Sequence, residues 1–311
     1  MTRHDTSDII FRRVLVCFPV LILIIVAGIF LQLLLASFPT LHKFGFNFLI
    51  SRTWDPVAEQ YGALPFIFGT CVTSLVALLL AVPIGLGAAI FLAEYAPPKI
   101  AKFISILVDL LAAIPSVIYG LWGIFVLVPF MRSTVQPFLG KYLGFLPFFQ
   151  GANYGVGFLS ASIILAIIIV PFIISISREV LLAIPHVYKE SSYALGATRW
   201  ETIKNIILSH AKVGIFGAIM LALGRALGET MAVTMIIGNN PTITSSLFSP
   251  GYTLASVIAN EFSEATSNMY LSAIIEIGLV LFIVSIVVNA LARFLIWSVT
   301  EGYASAAQRG V

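Results

Sequence analysis

The chain is short of almost everything that a water-facing surface requires. Only 10% of its 311 residues are charged, 59% are hydrophobic, and the mean hydropathy is +1.04. Soluble domains carry roughly 25% charged and about 45–50% apolar residues. A water-soluble fold of this length could not cover its surface with so few polar groups, so lipid is the solvent for most of the chain. Cys17 and Cys71 lie inside apolar runs without C-x-x-C spacing and read as buried, unpaired thiols. His4, His42, His186 and His210 are scattered, with no H-x-x-x-H or Cys/His cluster, which leaves no visible metal site. No G-x-x-x-x-G-K-[ST] motif is present, so ATP can drive the chain only through another subunit that binds the nucleotide. No paired nucleophile and base stands out either, and no enzymatic activity is expected. The net charge of +3 is small and dispersed, which argues for no nucleic-acid partner.

The chain does contain long apolar runs. A helix needs about 20 apolar residues to cross the hydrocarbon, and six stretches meet that length: 14–37, 64–94, 103–131, 156–176, 213–238 and 269–297. The first follows Arg12 and Arg13, as a secretory signal would. It is longer than the usual apolar region of about 7–15 residues and no A-x-A site follows, so it reads as an uncleaved span. Pro83, Pro115 and Pro171 fall inside spans and are expected to kink them. The organisation that results is a tail over 1–13, a first span over 14–37, an outer segment over 38–63, a core over 64–297 and a tail over 298–311. No linker, internal repeat or low-complexity segment divides it.

Basic residues orient the spans. If the first begins inside, one side receives Arg3, Arg12, Arg13, Lys99, Lys102, Arg178, Lys189, Arg199, Lys204, Lys212, Arg293 and Arg309. The other side receives Lys43, Arg52, Arg132 and Lys141. The positive-inside rule makes the first side cytoplasmic and places both termini there. The outer segments 38–63, 132–155 and 239–268 are read as candidate docking surfaces or ordinary solvated loops.

The inner loop at about 177–212 is too polar for a simple connector and reads mostly as helix. Val187, Tyr193, Leu195, Trp200, Ile203, Ile206 and Ile207 interleave with charged residues, as in helices lying at an interface. Gly196 is placed to end the first of two short helices. Such a pair could rest on headgroups or fit a groove in a cytoplasmic protein.

Within the spans, Asp109, Arg225, Glu229 and Glu276 carry charge. A charge at the bilayer centre costs roughly 2.5–3.5 kcal/mol even on the mild insertion scale, so it usually faces a bundle interior or a pathway. Arg225 lies roughly 20 Å along its helix from Lys212, too deep for easy snorkelling. Arg225 and Glu229 are spaced to share a helix face and pair. Gly224-xxx-Gly228 and neighbouring small residues fit close helix contact. Packing and pathway roles both remain open for Glu229, and a guanidinium suits an oxyanion.

Glu190-Ser-Ser-x-x-x-Gly196, followed by Ile206-x-Leu208, resembles the EAA loop, EAA-x3-G-x9-I-x-LP, of bacterial ABC importer permeases. Ser191 and Ser192 replace the alanines, and Ser209 replaces the proline. The segments 224–232, 61–70 and 114–120 are similar to phosphate importer permeases, and the likeness runs from about Trp54 to the C-terminus. The resemblance implies an all-α integral membrane fold with six transmembrane helices, of the type I, MetI-like class. It implies a permease subunit of a binding-protein-dependent importer that moves phosphate across the inner membrane. The implied assembly pairs it with a homologous second permease, two copies of a cytoplasmic ATPase that hold the ATP and magnesium, and a periplasmic phosphate-binding protein. No cofactor is expected on this chain itself. Arg225, Glu229 and Glu276 would then line the substrate pathway. Glu190, Ser191, Ser192, Gly196, Ile206 and Leu208 would form the coupling segment. The alternatives are a permease for another oxyanion, sulfate or molybdate, and an ion-coupled secondary transporter using the intramembrane carboxylates. The last differs in a measurable way: the isolated chain in vesicles with an ion gradient takes up solute if it is ion-coupled. An ATPase-driven permease is expected to take up none.

Overall fold

The computed structural model of the chain describes residues 6–308. Parts of both tails, with Arg3, His4 and Arg309, lie outside the described residues. Among the described residues, six helices are long and apolar enough to cross a membrane. The chain opens with α1 (Thr6–Ala36) and a short α2 (Phe38–Phe44), followed by α3 (Leu64–Tyr95), α4 (Pro98–Ala113) and α5 (Ser116–Leu143). The central helix α6 (Phe158–Leu182) leads to the short α7 (His186–Ala194) and then α8 (Arg199–Gly228). The chain closes with α9 (Met231–Ile237), α10 (Leu254–Glu261) and α11 (Asn268–Gln308). Helix α11 runs on through most of the expected C-terminal tail.

Helix α6 is the pole of the bundle. Of its most apolar stretch 67% is buried, against 28% for α3 and none for α1. Lipid tails are as apolar as leucine, so helices in a bilayer associate through close packing rather than hydrophobic drive. Helix α3 provides for this with a one-sided row of small residues at helical spacing: Gly69, Thr73, Ala77, Ala81, Gly85 and Ala89, all buried. A Cβ on Gly85 would press to 2.8 Å from Ile173 of α6. Leu165, Ile169 and Ile173 of α6 pack into the same cluster as Ala77 and Ala81. Helix α1 touches the bundle near its outer end, where Phe30 meets Phe282 and the Ser272 hydroxyl donates to the carbonyl of Ala36.

Three sequence expectations change here. Pro83 and Pro171 stay inside continuous helices, but Pro115 ends one. Ile114 and Pro115 are both extended (ψ 129° and 139°), because a proline ring disfavours the helical conformation of the residue before it. The third crossing is therefore shared by α4 and α5, which run antiparallel along α6. Asp109 meets Ser175 near the inner end, Val108 packs with Ile174, and Tyr119 packs with Ile164 and Ile168 further out. The Tyr119 hydroxyl donates to the Leu111 carbonyl at 2.8 Å, satisfying an acceptor that the break frees. Second, Cys17 and Cys71 are exposed on the bundle surface rather than buried among side chains.

Third, the segment 239–268 is not a plain solvated loop. Residues 251–257 are buried, and the chain is stitched into the bundle through its backbone. Gly251 N–H donates to Ile237, Phe158 N–H to Ser249, and Leu254 N–H to the Thr70 hydroxyl at 2.9 Å. Phe248, Tyr252 and Leu254 supply the apolar side chains that draw it inward, and a Thr253–Ser256 capping box starts α10 there. The outer segment 38–63 is anchored too, with Tyr61 only 2% exposed. Trp54 Nε1 and the Tyr270 hydroxyl both donate to Glu261, at 2.8 and 2.7 Å. Burial, reinforced by the Glu59 charge, raises the Tyr61 phenol above its usual range and keeps it neutral in this cap.

A methyl on Gly69 would collide with the backbone carbonyl of Tyr252. Gly69→Ala is expected to lower stability by about 1–3 kcal/mol. A thermal melt of the purified protein should show a clearly lower midpoint, and an unchanged midpoint would contradict this packing.

Candidate functional site: a broken helix in mid-membrane and a cytoplasmic elbow

The fifth crossing is also broken. Helix α8 ends at Gly228, Glu229 is extended (φ −70°, ψ 121°), and α9 begins at Met231. Arg225 and Glu229 thus do not share a continuous helical face. No ion pair within 4.0 Å joins them, contrary to the spacing argument. Each instead sits at the helix end that suits its charge. Arg225 lies in the last turn of α8, near the partial negative charge of free carbonyls. Glu229, 9% exposed, precedes the N-terminus of α9, and its Oε1 accepts from the Ala232 N–H at 3.5 Å. The break is held open by charge placement that lowers the cost of two helix ends inside the membrane.

Arg225 is exposed at the surface of this chain, with its guanidinium over the ring of Phe172 at 4.4 Å. Tyr119 lies within electrostatic reach of it. Phe172 follows Pro171, and Tyr119 follows the Pro115 break, so residues near two prolines converge on one arginine. Neither aromatic was expected in the pathway, although Tyr119 lies in the 114–120 segment. The signal was the pair of prolines in adjacent crossings. Helix α9 is seated on α5 at Gly120 and Gly123, where a Cβ would meet Met235 and Ala232, and Ile236, respectively.

Glu276 does not join this site. It is 3% exposed and lies beside Thr40 of α2, in a part of α11 whose Tyr270, Ala273, Ile274 and Ile277 pack with Phe48, Tyr61 and Phe66. Its expected place in the pathway with Arg225 and Glu229 is not supported by this packing. Asp109, in the inner half, accepts from the Ser175 hydroxyl at 2.8 Å.

The cytoplasmic elbow is helical as the polarity of the loop implied. Glu190 and Ser191 of α7 are exposed, and Ser192 is buried, sharing a 2.9 Å hydroxyl contact with Thr202. Gly196 makes the turn at φ +83°, a conformation that favours glycine. Thr198 and Glu201 form a capping box that starts α8. The apolar residues of the elbow fall into two groups. Ile203 and Ile207 are buried against Ala89, Leu181 and Ile184, with Leu208 partly buried beside them and Ile206 half-buried. Val187, Leu195 and Trp200 are 67%, 89% and 59% exposed, leaving an apolar face turned outward beside Glu190.

Comparison with known proteins agrees with this architecture. The model of the family described as "Binding-protein-dependent transport system inner membrane component" matches residues 81–297. The chain belongs to that family of permeases. Among curated relatives, the phosphate transport system permease protein PstC of Mesorhizobium japonicum is 45% identical over 94% of this chain and 91% of its own length. The protein of the same name from Haemophilus influenzae is 47% identical over 92% of each. Solved permeases share the fold at low identity. A chain of the bacterial alginate ABC transporter superposes with a TM-score of 0.64 at 18% identity, over 95% of this chain and 96% of that one. One from the inward-facing MetNI methionine ABC transporter gives 0.59 at 19%, over 79% and 99%. The permease is a multi-pass, all-helical inner-membrane protein of the MetI-like type.

Gly120→Val is expected to push α9 off α5 and carry Glu229 with it, at an overpacking cost of about 1–3 kcal/mol. Solute uptake should fall while the amount of chain in the membrane stays near normal. Full uptake by this variant would show that the seat of α9 is not critical.

Proposed function

We propose that this permease conducts inorganic phosphate as one half of a heterodimer in a binding-protein-dependent ABC importer. The observation that carries the reading is Arg225. This intramembrane guanidinium ends a broken helix, has no carboxylate partner within 4.0 Å among the described residues, and is exposed at the surface of its own chain. An unpaired guanidinium at that depth is costly unless something outside the chain uses it, and its fork of donors matches a tetrahedral oxyanion. The name shared by the relatives, phosphate transport system permease, supports phosphate as that oxyanion.

In this reading a homologous second permease, PstA-like, faces Arg225 and completes the pathway. A periplasmic phosphate-binding protein, PstS-like, delivers the anion to the outer face. Two copies of a cytoplasmic ATPase, PstB-like, hold ATP and magnesium and receive α7 with its exposed Glu190 and apolar face. Both termini are cytoplasmic by the distribution of basic residues. Arg225 attracts the anion, and Glu229, buried a short distance along the chain, limits how tightly it is held, since a site that binds too well traps what it should pass. Closure of the ATPases moves the elbow at Glu190–Gly196 as a rigid body and changes which side the broken crossing opens toward.

Arg225→Glu in the assembled importer is the test. It replaces charge-assisted hydrogen bonds worth about 1.5–3 kcal/mol each with repulsion, so phosphate uptake should fall about 10–100-fold or more. The ATPase should still co-purify. Normal uptake would rule out a pathway role for the arginine, and competition by sulfate but not phosphate in the unaltered importer would transfer the reading to another oxyanion.

A further inference from the structure

The cytoplasmic end of α3 and the elbow are joined by an ion pair that neither the motif nor the spacing of charges suggested. Lys189 of α7 reaches Glu94 of α3 at 2.6 Å, with only 13% and 6% of the two side chains exposed. The same peptide region of α3 is gripped a second time. The Arg199 guanidinium donates to the Glu94 carbonyl and lies 4.3 Å from the centre of the Tyr95 ring. Lys189 precedes Gly196 and Arg199 follows it, so one short stretch of α3 is held from both arms of the elbow. The flanking backbone is unusual on both sides of this joint. Phe91–Tyr95 and Thr202–Ile207 are π-helical, a wide turn that marks points where a helix can change register. The two stretches converge on one apolar cluster, in which Ala89 and Ala93 pack with Ile203 and Ile207.

From this arrangement we infer that Glu94 is a positioning residue for energy coupling: through Lys189 and Arg199 it makes the end of α3 follow the elbow when the elbow moves. This inference rests on the proposal that α7 is the ATPase-coupling helix. A partly buried ion pair is directional and resists separation, because parting the charges leaves both poorly solvated and unpaired. Apolar packing alone would let α7 slide across α3. The double grip converts a push on α7 into a displacement of α3. Helix α3 lies along α6 through its row of small residues, so the displacement reaches the centre of the bundle.

The experiment uses the whole importer, with its partner permease and ATPase, reconstituted in vesicles, and measures phosphate uptake and ATP hydrolysis on the same preparation. Glu94→Gln is expected to keep the complex together and hydrolysing ATP, while phosphate moved per ATP falls about tenfold, the effect of roughly 1.4 kcal/mol of lost coupling. The charge exchange Glu94→Lys with Lys189→Glu should restore the ratio to within about twofold. An unchanged ratio in Glu94→Gln overturns the inference. So does a complex that falls apart in that variant and is not rescued by the exchange, since Glu94 would then serve assembly by itself and not through Lys189. Failure of any ATPase to accompany the unaltered chain would instead refute the underlying assignment of α7, and so separates the two.

Discussion

Close approach of α3 to α6 is the contact on which the other features depend. In a solvent of hydrocarbon tails an isolated helix loses nothing by staying apart, so the bundle has to be held by surfaces that fit. The row from Gly69 to Ala89 supplies one such surface, and α6 is enclosed because α3 can lie against it without intervening side chains. With that pair fixed, α4 and α5 are laid along α6 and the segment 247–257 is threaded back against Gly69 and Thr70.

A rigid pair at the centre also makes the two broken crossings tolerable. A lipid-exposed break would leave backbone groups without partners, and each would cost several kcal/mol. Here the freed groups find local donors and acceptors: Tyr119 at the Pro115 break, and the Glu229 side chain at the start of α9. Both breaks come close to Phe172 and Arg225. The irregular backbone and the unpaired charge thus occur together, as they do where a membrane protein lines a cavity rather than lipid.

Much of this was legible from residue types alone. The six crossings followed from apolar length, and the elbow followed from its polarity and from Gly196, which takes the left-handed conformation a helix end demands. The inward turn of 239–268 was missed because polar and small residues such as Asn239, Thr242 and Ser246 dominate its first half. Only contact with α3, for Tyr252 and Leu254, and with α5 and α6, for Phe248, shows that these are core residues. The spacing of Arg225 and Glu229 misled for a related reason. Period arguments assume a continuous helix, and nothing in 225–231 except a glycine and a threonine hinted at an end there. Glu276 looked like its intramembrane neighbours, and only the placement of α2 beside it set it apart. The Lys189–Glu94 pair joins positions far apart in the chain, a relation that no local pattern encodes.

Helix α1 stands outside this economy. None of its most apolar stretch is buried, the family match begins only at residue 81, and its contacts cluster near Ala36. Over most of its length its aliphatic side chains therefore meet no other part of this chain. Exchanges among aliphatic residues there leave the packing of this chain untouched, whereas a change near Phe30 or Ala36 would loosen the root that ties the helix to α11.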